Sequence, residues 1–123
     1  MPSELLARVF SPAELGAGGN VVETAEYRVG LARREGPGEA EVHTIDTDIF
    51  YVLEGTATLV TGGEMIEPRT VAPHEIRAAG TKGGVAKVTT KGDVIVIPKT
   101  VPHWFTEISS SPFVYLVVKS TAR

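Results

Sequence analysis

The sequence predicts an all-β fold, a small antiparallel barrel or jelly roll, that forms one domain over residues 1–123. Apolar, β-branched and aromatic residues recur in at least eight short segments, with turn residues between them. The chain contains 13 Gly and 8 Pro, and no segment shows a long helical period. A chain of this length holds one core and leaves no room for a second ordinary domain.

The predicted strands are rich in apolar, β-branched and aromatic residues and end at Gly, Pro or polar clusters. They are residues 21–22, 27–31, 42–45, 49–53, 56–60, 93–97 and 113–118, with a weaker candidate at 76–79. Before them, Ser11 and Glu14 have the spacing of a capping box, with Pro12 at the first helical position. We therefore expect one turn of helix, which Gly16 ends.

Two connections are predicted from Gly and Pro. Glu54 and Gly55 predict the turn of a hairpin between strands 49–53 and 56–60. Residues 62–91 contain two Pro and several Gly that interrupt any period, so we expect an elaborated loop there. His74 lies in this loop and is expected to be solvent-exposed.

Part of this predicted loop is strongly basic. Residues 76–92 contain four basic residues and no acidic one, in a chain of net charge −3. The four are Arg77, Lys82, Lys87 and Lys91. If the segment folds over the barrel mouth, it attracts an anionic substrate or forms a lid; a solvated loop is the alternative.

Charge and composition restrict the partners and the location of the protein. A net charge of −3 and a pI near 5.6 argue against nucleic acid and anionic membranes, so a small molecule is the expected partner. No apolar stretch approaches the length of a membrane span, and the first ten residues lack the apolar run of a signal peptide. We expect a cytoplasmic protein.

Histidines and carboxylates are the candidate functional groups. The chain has no Cys, so a bound metal must be held by His and acidic residues. Glu41 and His43 lie two apart in a predicted strand and share one face. Asp48 follows after an expected bend, and His103 comes just after the apolar strand 93–97.

These residues resemble the two motifs of the cupin superfamily. Its first motif is Gly, five residues, His-x-His, three or four residues, Glu, six residues, Gly, and here residues 36–55 correspond to it. Glu41-x-His43, four residues, Asp48, six residues and Gly55 match the spacing. The second motif is Gly, five residues, Pro-x-Gly, two residues, His, three residues, Asn. It corresponds to residues 92–107.

The sequence departs from these motifs at several positions. Glu41 stands where the first motif has its first His, and Asp48 where it has Glu. In the second motif Gly92, Pro98 and His103 match, whereas Thr100 and Glu107 replace Gly and Asn. The leading Gly36 is followed by four residues rather than five before Glu41.

The resemblance implies an antiparallel cupin barrel, or double-stranded β-helix, and a metal site. Metal-binding cupins ligate a divalent transition metal with the two His and the Glu of the first motif and the His of the second. Carried over by position, the ligands are Glu41, His43, Asp48 and His103, for Fe, Mn, Zn, Ni or Co. If three residues suffice, Glu41 becomes the general base. Asp48 is one methylene shorter than the Glu of the motif, so its reach decides whether the site has four ligands.

The resemblance leaves the reaction open, because cupins differ widely in activity. A metal-binding protein acting on a small organic molecule is expected, either as an isomerase, lyase or cyclase or as a dioxygenase. The alternative is a metal-free, noncatalytic cupin that binds or senses a small ligand. Small cupins commonly dimerise, so a homodimer is expected, with the apolar strand 113–118 as a candidate for its interface.

Overall fold

The computed structural model describes residues 6–16 and 18–122; residues 1–5, part of the expectation about a signal peptide, lie outside them. Strands dominate the described chain. The elements are α1 (Pro12–Leu15), β1 (Gly19–Glu23), β2 (Tyr27–Arg34), β3 (Ala40–His43), β4 (Asp46–Thr61), β5 (Glu64–Met65), β6 (Arg69–Ala72), β7 (Glu75–Ala78), β8 (Thr81–Lys82), β9 (Val85–Thr90), β10 (Val94–Ile97) and β11 (His103–Thr121). No helix among these residues is long and apolar enough to cross a membrane.

Two long strands, β4 and β11, join the two halves of one curled antiparallel sheet. They pair from His103 opposite Thr61 to Thr121 opposite Asp46. The first half has the order β1-β2-β11-β4-β10, and the second has β6-β7-β3-β11-β4-β9. Strands β5 and β8 form a separate two-stranded ribbon. The predicted barrel of the jelly-roll type is confirmed.

The predicted helical turn is also confirmed. Ser11 caps α1, its hydroxyl accepting from the Glu14 amide while the Glu14 carboxylate accepts from the Ser11 amide. Gly16 follows α1 at a φ of 68°, which ends the turn.

The predicted hairpin at Glu54 and Gly55 is wrong, because β4 runs through both residues. Gly55 has a φ of 87° and lies where β11 crosses with several register shifts. It therefore bends one strand instead of ending it. The two parts of β4 then pair with different strands, β10 and β9.

The predicted loop over residues 62–91 is also wrong, since β5 to β9 lie within it. All four residues of β6 are exposed, and so are most of β9. A strand that buries neither face shows no apolar alternation, so the sequence signal is absent. Backbone pairing of β6 with β7 and of β9 with β4 makes these segments strands.

The core lies between the two halves and is rich in aromatic rings. Phe50 and Tyr115 have ring centroids 4.7 Å apart, and Phe105 and Phe113 lie 5.1 Å apart. The wider cluster also contains Val52, Ala57, Leu59, Ile95 and Ile97. Phe113 and Val52 are fully buried, at 0% exposure.

Residues 113–118 offer no free strand edge for the expected dimer contact. This part of β11 lies between β2 and β4 and has no free edge. Phe113 and Tyr115 point into the core, so these apolar side chains are already buried within one chain.

Gly55→Ala should strongly destabilise the fold. A Cβ there would lie 2.3 Å from the Pro112 carbonyl oxygen and 2.6 Å from that of Ser110, and the positive φ adds strain. We expect a loss of about 3 kcal/mol in the free energy of unfolding. Gly62→Ala is the matched control, because its φ is 76° but no atom lies within 4 Å. It should lose only about 1 kcal/mol. Urea denaturation of both variants measures the difference, and equal losses would contradict the steric explanation.

Candidate metal centre

A cavity of about 400 Å³ opens inside the barrel, and its lining residues alternate along five strands. Because successive side chains of a strand point to opposite faces, residues two apart share a face. The lining consists of Ala32 and Arg34 on β2, Glu41 and His43 on β3, Asp48 and Phe50 on β4, Glu75 and Arg77 on β7, and His103, Phe105, Tyr115, Val117 and Lys119 on β11. All four predicted metal ligands therefore line one cavity.

Hydrogen bonds orient both cavity histidines in the same way. His43 Nδ1 lies 2.6 Å from Glu75 Oε2, and His103 Nδ1 lies 3.2 Å from the Val101 carbonyl oxygen. An ionised carboxylate and a carbonyl only accept, so Nδ1 carries the proton in each neutral ring. The Nε2 of each ring is then left with a lone pair, the form in which histidine binds metals.

Asp48 lies between these two nitrogens. Its Oδ2 is 3.2 Å from His43 Nε2 and 3.5 Å from His103 Nε2, and its side chain is 1% exposed. Among the described residues, Oδ2 has no hydrogen-bond partner. The other oxygen, Oδ1, accepts from Lys119 Nζ at 2.7 Å. The shorter side chain of Asp48 thus still reaches both imidazoles.

The pKa values of these groups reflect a buried carboxylate with cationic groups beside it. Burial opposes the charged form of His43, but its contact with Asp48 and the negative charges of Asp48 and Glu75 raise its pKa above the ordinary value. Burial lowers the pKa of His103. Burial also opposes charge on Asp48, yet His43 and Lys119 together lower its pKa. The cavity therefore holds an ionised carboxylate that requires a cation or a proton beside it.

Glu41 lies nearer the mouth of the cavity. One ligand atom each from Glu41, His43 and His103 lie within 4.8 Å of one another. The Glu41 carboxylate also faces two guanidinium groups, with Arg77 Nε at 3.5 Å and Arg34 Nη2 at 3.8 Å. Glu41 can thus turn towards either the histidines or the arginines.

The residues of the chain fit a divalent metal. The Nε2 atoms of His43 and His103 converge on Asp48 Oδ2, which has no hydrogen-bond partner among the described residues, while Lys119 Nζ lies 3.4 Å from His43 Nε2. Carboxylate and imidazole are ligands of Fe, Mn, Zn, Ni and Co, and two His with one carboxylate is a known ligand set for iron. Asp48 Oδ2 is buried between two imidazoles and lacks a hydrogen-bond partner, and a bound cation would compensate for this.

Sequence reasoning missed several cavity residues. Glu75 and Lys119 contact the predicted ligands directly, and Arg34 and Tyr115 line the wall beside them. The sequence contained part of this information. Tyr115 and Lys119 lie an even number of residues apart on one apolar strand, which places them on the same face. That Lys119 lies opposite Asp48 follows only from the register of β11 on β4.

The predicted basic segment and the third histidine lie mostly elsewhere. Arg77 is on β7 in the cavity wall, whereas Lys82, Lys87 and Lys91 are not among the described residues that line this cavity. His74 is exposed, as expected, and its Nδ1 lies 2.8 Å from the Thr44 hydroxyl.

Lys119→Met should destabilise the metal-free protein because it leaves the Asp48 carboxylate without its nearest cation. We expect a loss of about 2 kcal/mol in the free energy of unfolding at neutral pH. Adding Asp48→Asn should restore most of it, since the unpaired charge is then gone. Arg33→Met, at an exposed pair with Glu35, is the control and should change stability by less than about 0.5 kcal/mol. Chemical denaturation after chelator treatment measures all four proteins. A double variant no more stable than Lys119→Met would refute the charge argument.

Comparison with solved structures finds the same architecture at low identity. An uncharacterised conserved protein with a double-stranded β-helix domain from Klebsiella pneumoniae aligns with a TM-score of 0.68 at 20% identity, covering 98% of this chain and 90% of that chain. Hydroquinone 1,2-dioxygenase from Sphingomonas sp. TTNP3 aligns with a TM-score of 0.60 at 18% identity, covering 86% of this chain and 66% of that one. A DMSP lyase from Ruegeria pomeroyi aligns with a TM-score of 0.55 at 15% identity, covering 79% and 39%.

Sequence comparison gives the family. No curated protein matches the chain. The cupin family model matches residues 21–123, which include every strand from β2 to β11 and all the cavity residues. Together with the double-stranded β-helix fold, this match shows that the chain belongs to the cupin family.

Proposed function

We propose that this cupin binds one divalent transition metal inside its barrel and acts there on a small organic molecule. The observation that carries the proposal is the convergence of His43 Nε2, His103 Nε2 and the unpartnered Asp48 Oδ2 on one point. A buried carboxylate oxygen without a donor is unfavourable, and a metal ion beside it offsets that cost.

The proposed ligands are His43, His103 and Asp48, with Glu41 as a fourth ligand or as a general base. When bound, the metal supplies a Lewis acid that polarises an oxygen of the bound molecule or activates a water. Glu75 and the Val101 carbonyl hold the two rings with Nε2 towards Asp48, where they would ligate a metal. As a base, Glu41 takes a proton at a carboxylate oxygen near the cavity mouth.

The cavity and the structural relatives support a small-molecule substrate. A volume of about 400 Å³ is at the lower end of the range for small-molecule sites. Two of the similar structures are a dioxygenase and a lyase. These correspond to two proposed branches: an oxygenase that needs iron and consumes O2, and an isomerase, lyase or cyclase that works without O2. The identity of the metal and the O2 requirement separate them.

One contact favours the second candidate function, a metal-free binding or sensing cupin. Lys119 Nζ lies 2.7 Å from Asp48 Oδ1 and 3.4 Å from His43 Nε2, so the chain supplies a cation of its own. A protein of this kind would bind a small ligand without transforming it. The metal measurement below decides between the two functions.

Protein purified without added metal or chelator should contain close to one Fe, Mn, Zn, Ni or Co per chain. His43→Ala and His103→Ala should each lose it, because each removes one of two converging imidazoles. His74→Ala is the matched control and should keep the metal, since His74 is exposed and outside the cavity. Plasma mass spectrometry measures the content. Metal-free wild-type protein that cannot be reconstituted would refute the metal site and support the binding module.

Metal content, measured together with turnover, also decides the role of Glu41. Glu41→Gln keeps the shape of the side chain and removes its charge. If Glu41 is a general base, the variant keeps its metal and loses turnover; if Glu41 is a ligand, metal affinity falls.

Two further predictions concern the whole molecule. We propose a homodimer in the cytoplasm. Size-exclusion chromatography with light scattering measures the mass, and a monomer would contradict the dimer.

A further inference from the structure

Arg34 lines the cavity beside the proposed metal ligands, and the proposed metal site does not use it. Its guanidinium lies over the Phe105 ring, 5.3 Å from the centroid, and its Nε donates to the Tyr115 hydroxyl at 3.1 Å. The side chain is 27% exposed. The Phe105 ring and the Tyr115 hydroxyl hold the guanidinium against the cavity wall, so its position is preformed.

Most donors of this guanidinium have no partner among the described residues. Arginine has five N–H groups, and the Tyr115 hydroxyl takes one. The nearest carboxylate oxygen, on Glu41, is 3.8 Å from Nη2, beyond hydrogen-bond distance. The other cations differ: Lys119 is bound to Asp48 at 2.7 Å, and Arg77 is 45% exposed at the rim. Arg34 is therefore the cation best placed to bind an anion within the cavity.

The backbone leaves room for Arg34 at Gly38. A Cβ at position 38 would lie 2.5 Å from Arg34 Nη1. The Gly38 amide donates to the Phe105 carbonyl oxygen at 3.1 Å, which holds this segment next to the ring on which Arg34 lies. The absence of a side chain at Gly38 is thus what allows the guanidinium its position.

Charge and shape of the cavity indicate what binds to Arg34. Arg34, Arg77 and Lys119 balance three lining carboxylates when the imidazoles are neutral, so a divalent metal would give the loaded cavity an excess of positive charge. Apolar groups line the space beside Arg34: Ala32, Phe50, Phe105 and Val117. An anionic group attached to an apolar body satisfies both features.

We propose that the cavity binds a small molecule made of an apolar body and a carboxylate, with the carboxylate on the guanidinium of Arg34. Guanidinium and carboxylate pair through two parallel hydrogen bonds, which gives orientation as well as affinity. The body lies against Phe50 and Phe105, and its other end is directed towards His43 and His103. This proposal names the substrate class of the proposed function and rests on it.

The test compares benzoate with benzamide, which has the same shape and no charge, on chelator-treated protein. Without metal, any preference for the carboxylate comes from the chain itself. Wild-type protein should bind benzoate at least about tenfold more tightly than benzamide, as measured by NMR titration. Arg34→Met should abolish the preference, and Arg34→Lys should retain part of it. Arg33→Met, the neighbouring outward-facing arginine, should leave it unchanged.

A glycine pair gives a second test that leaves Arg34 in the chain. Gly38→Ala should move the guanidinium and reduce the preference at least about threefold. Gly36→Ala is its control, because no atom lies within 4 Å of a Cβ there. Equal binding of the two probes by wild type, no benzoate binding at millimolar concentration, or an unchanged preference in Arg34→Met would overturn the proposal.

The outcomes separate this proposal from the metal site. A wild-type protein that takes up no metal but prefers benzoate through Arg34 refutes the proposed metal function and supports the carboxylate site. A protein that loses its metal in His43→Ala and His103→Ala, but keeps its preference in Arg34→Met, supports the metal and refutes the role of Arg34.

Discussion

The pairing of β4 with β11 along their full lengths is the constraint on which the rest of the structure depends. It places Lys119 directly opposite Asp48 in the first half of the sheet and His103 opposite Thr61 in the second. Because both strands pass through both halves, inward-facing residues from both halves line the same cavity. The bend at Gly55 is needed for this. Without it, a straight strand of 16 residues could not take part in both halves of the curled sheet.

This pairing also creates the main electrostatic feature of the cavity. Asp48 is buried with one oxygen on the Lys119 ammonium and the other between two imidazole nitrogens. A buried carboxylate must be compensated, and the cavity offers three ways: the ammonium, a proton on His43, or a metal ion. The ammonium compensates one oxygen and leaves the other without a donor among the described residues. The charge of the cavity therefore depends on which cation is beside Asp48.

Part of the fold could be predicted because it depends on local patterns, and the resemblance to the cupin motifs added Asp48 and His103 to the candidate site. Spacing two apart put Glu41 and His43 on one face, and the structure brings them together with Asp48 and His103. The predictions that failed involve segments whose structure is imposed by a distant partner. Within residues 62–91, β7 and β9 pair with β3 and β4, and Gly55 bends a strand because β11 crosses it.

The sequence alone determined the strand-rich class, the absence of thiolate ligands and the small set of histidines from which a metal site can be built. These properties follow from residue type and from a period of two, which are read within a few residues. Tertiary structure decided that Lys119 compensates Asp48, that Glu75 orients His43 and that Arg34 lies over Phe105. Each of these contacts joins residues far apart in the chain, and strand register, which local sequence does not encode, brings them within reach.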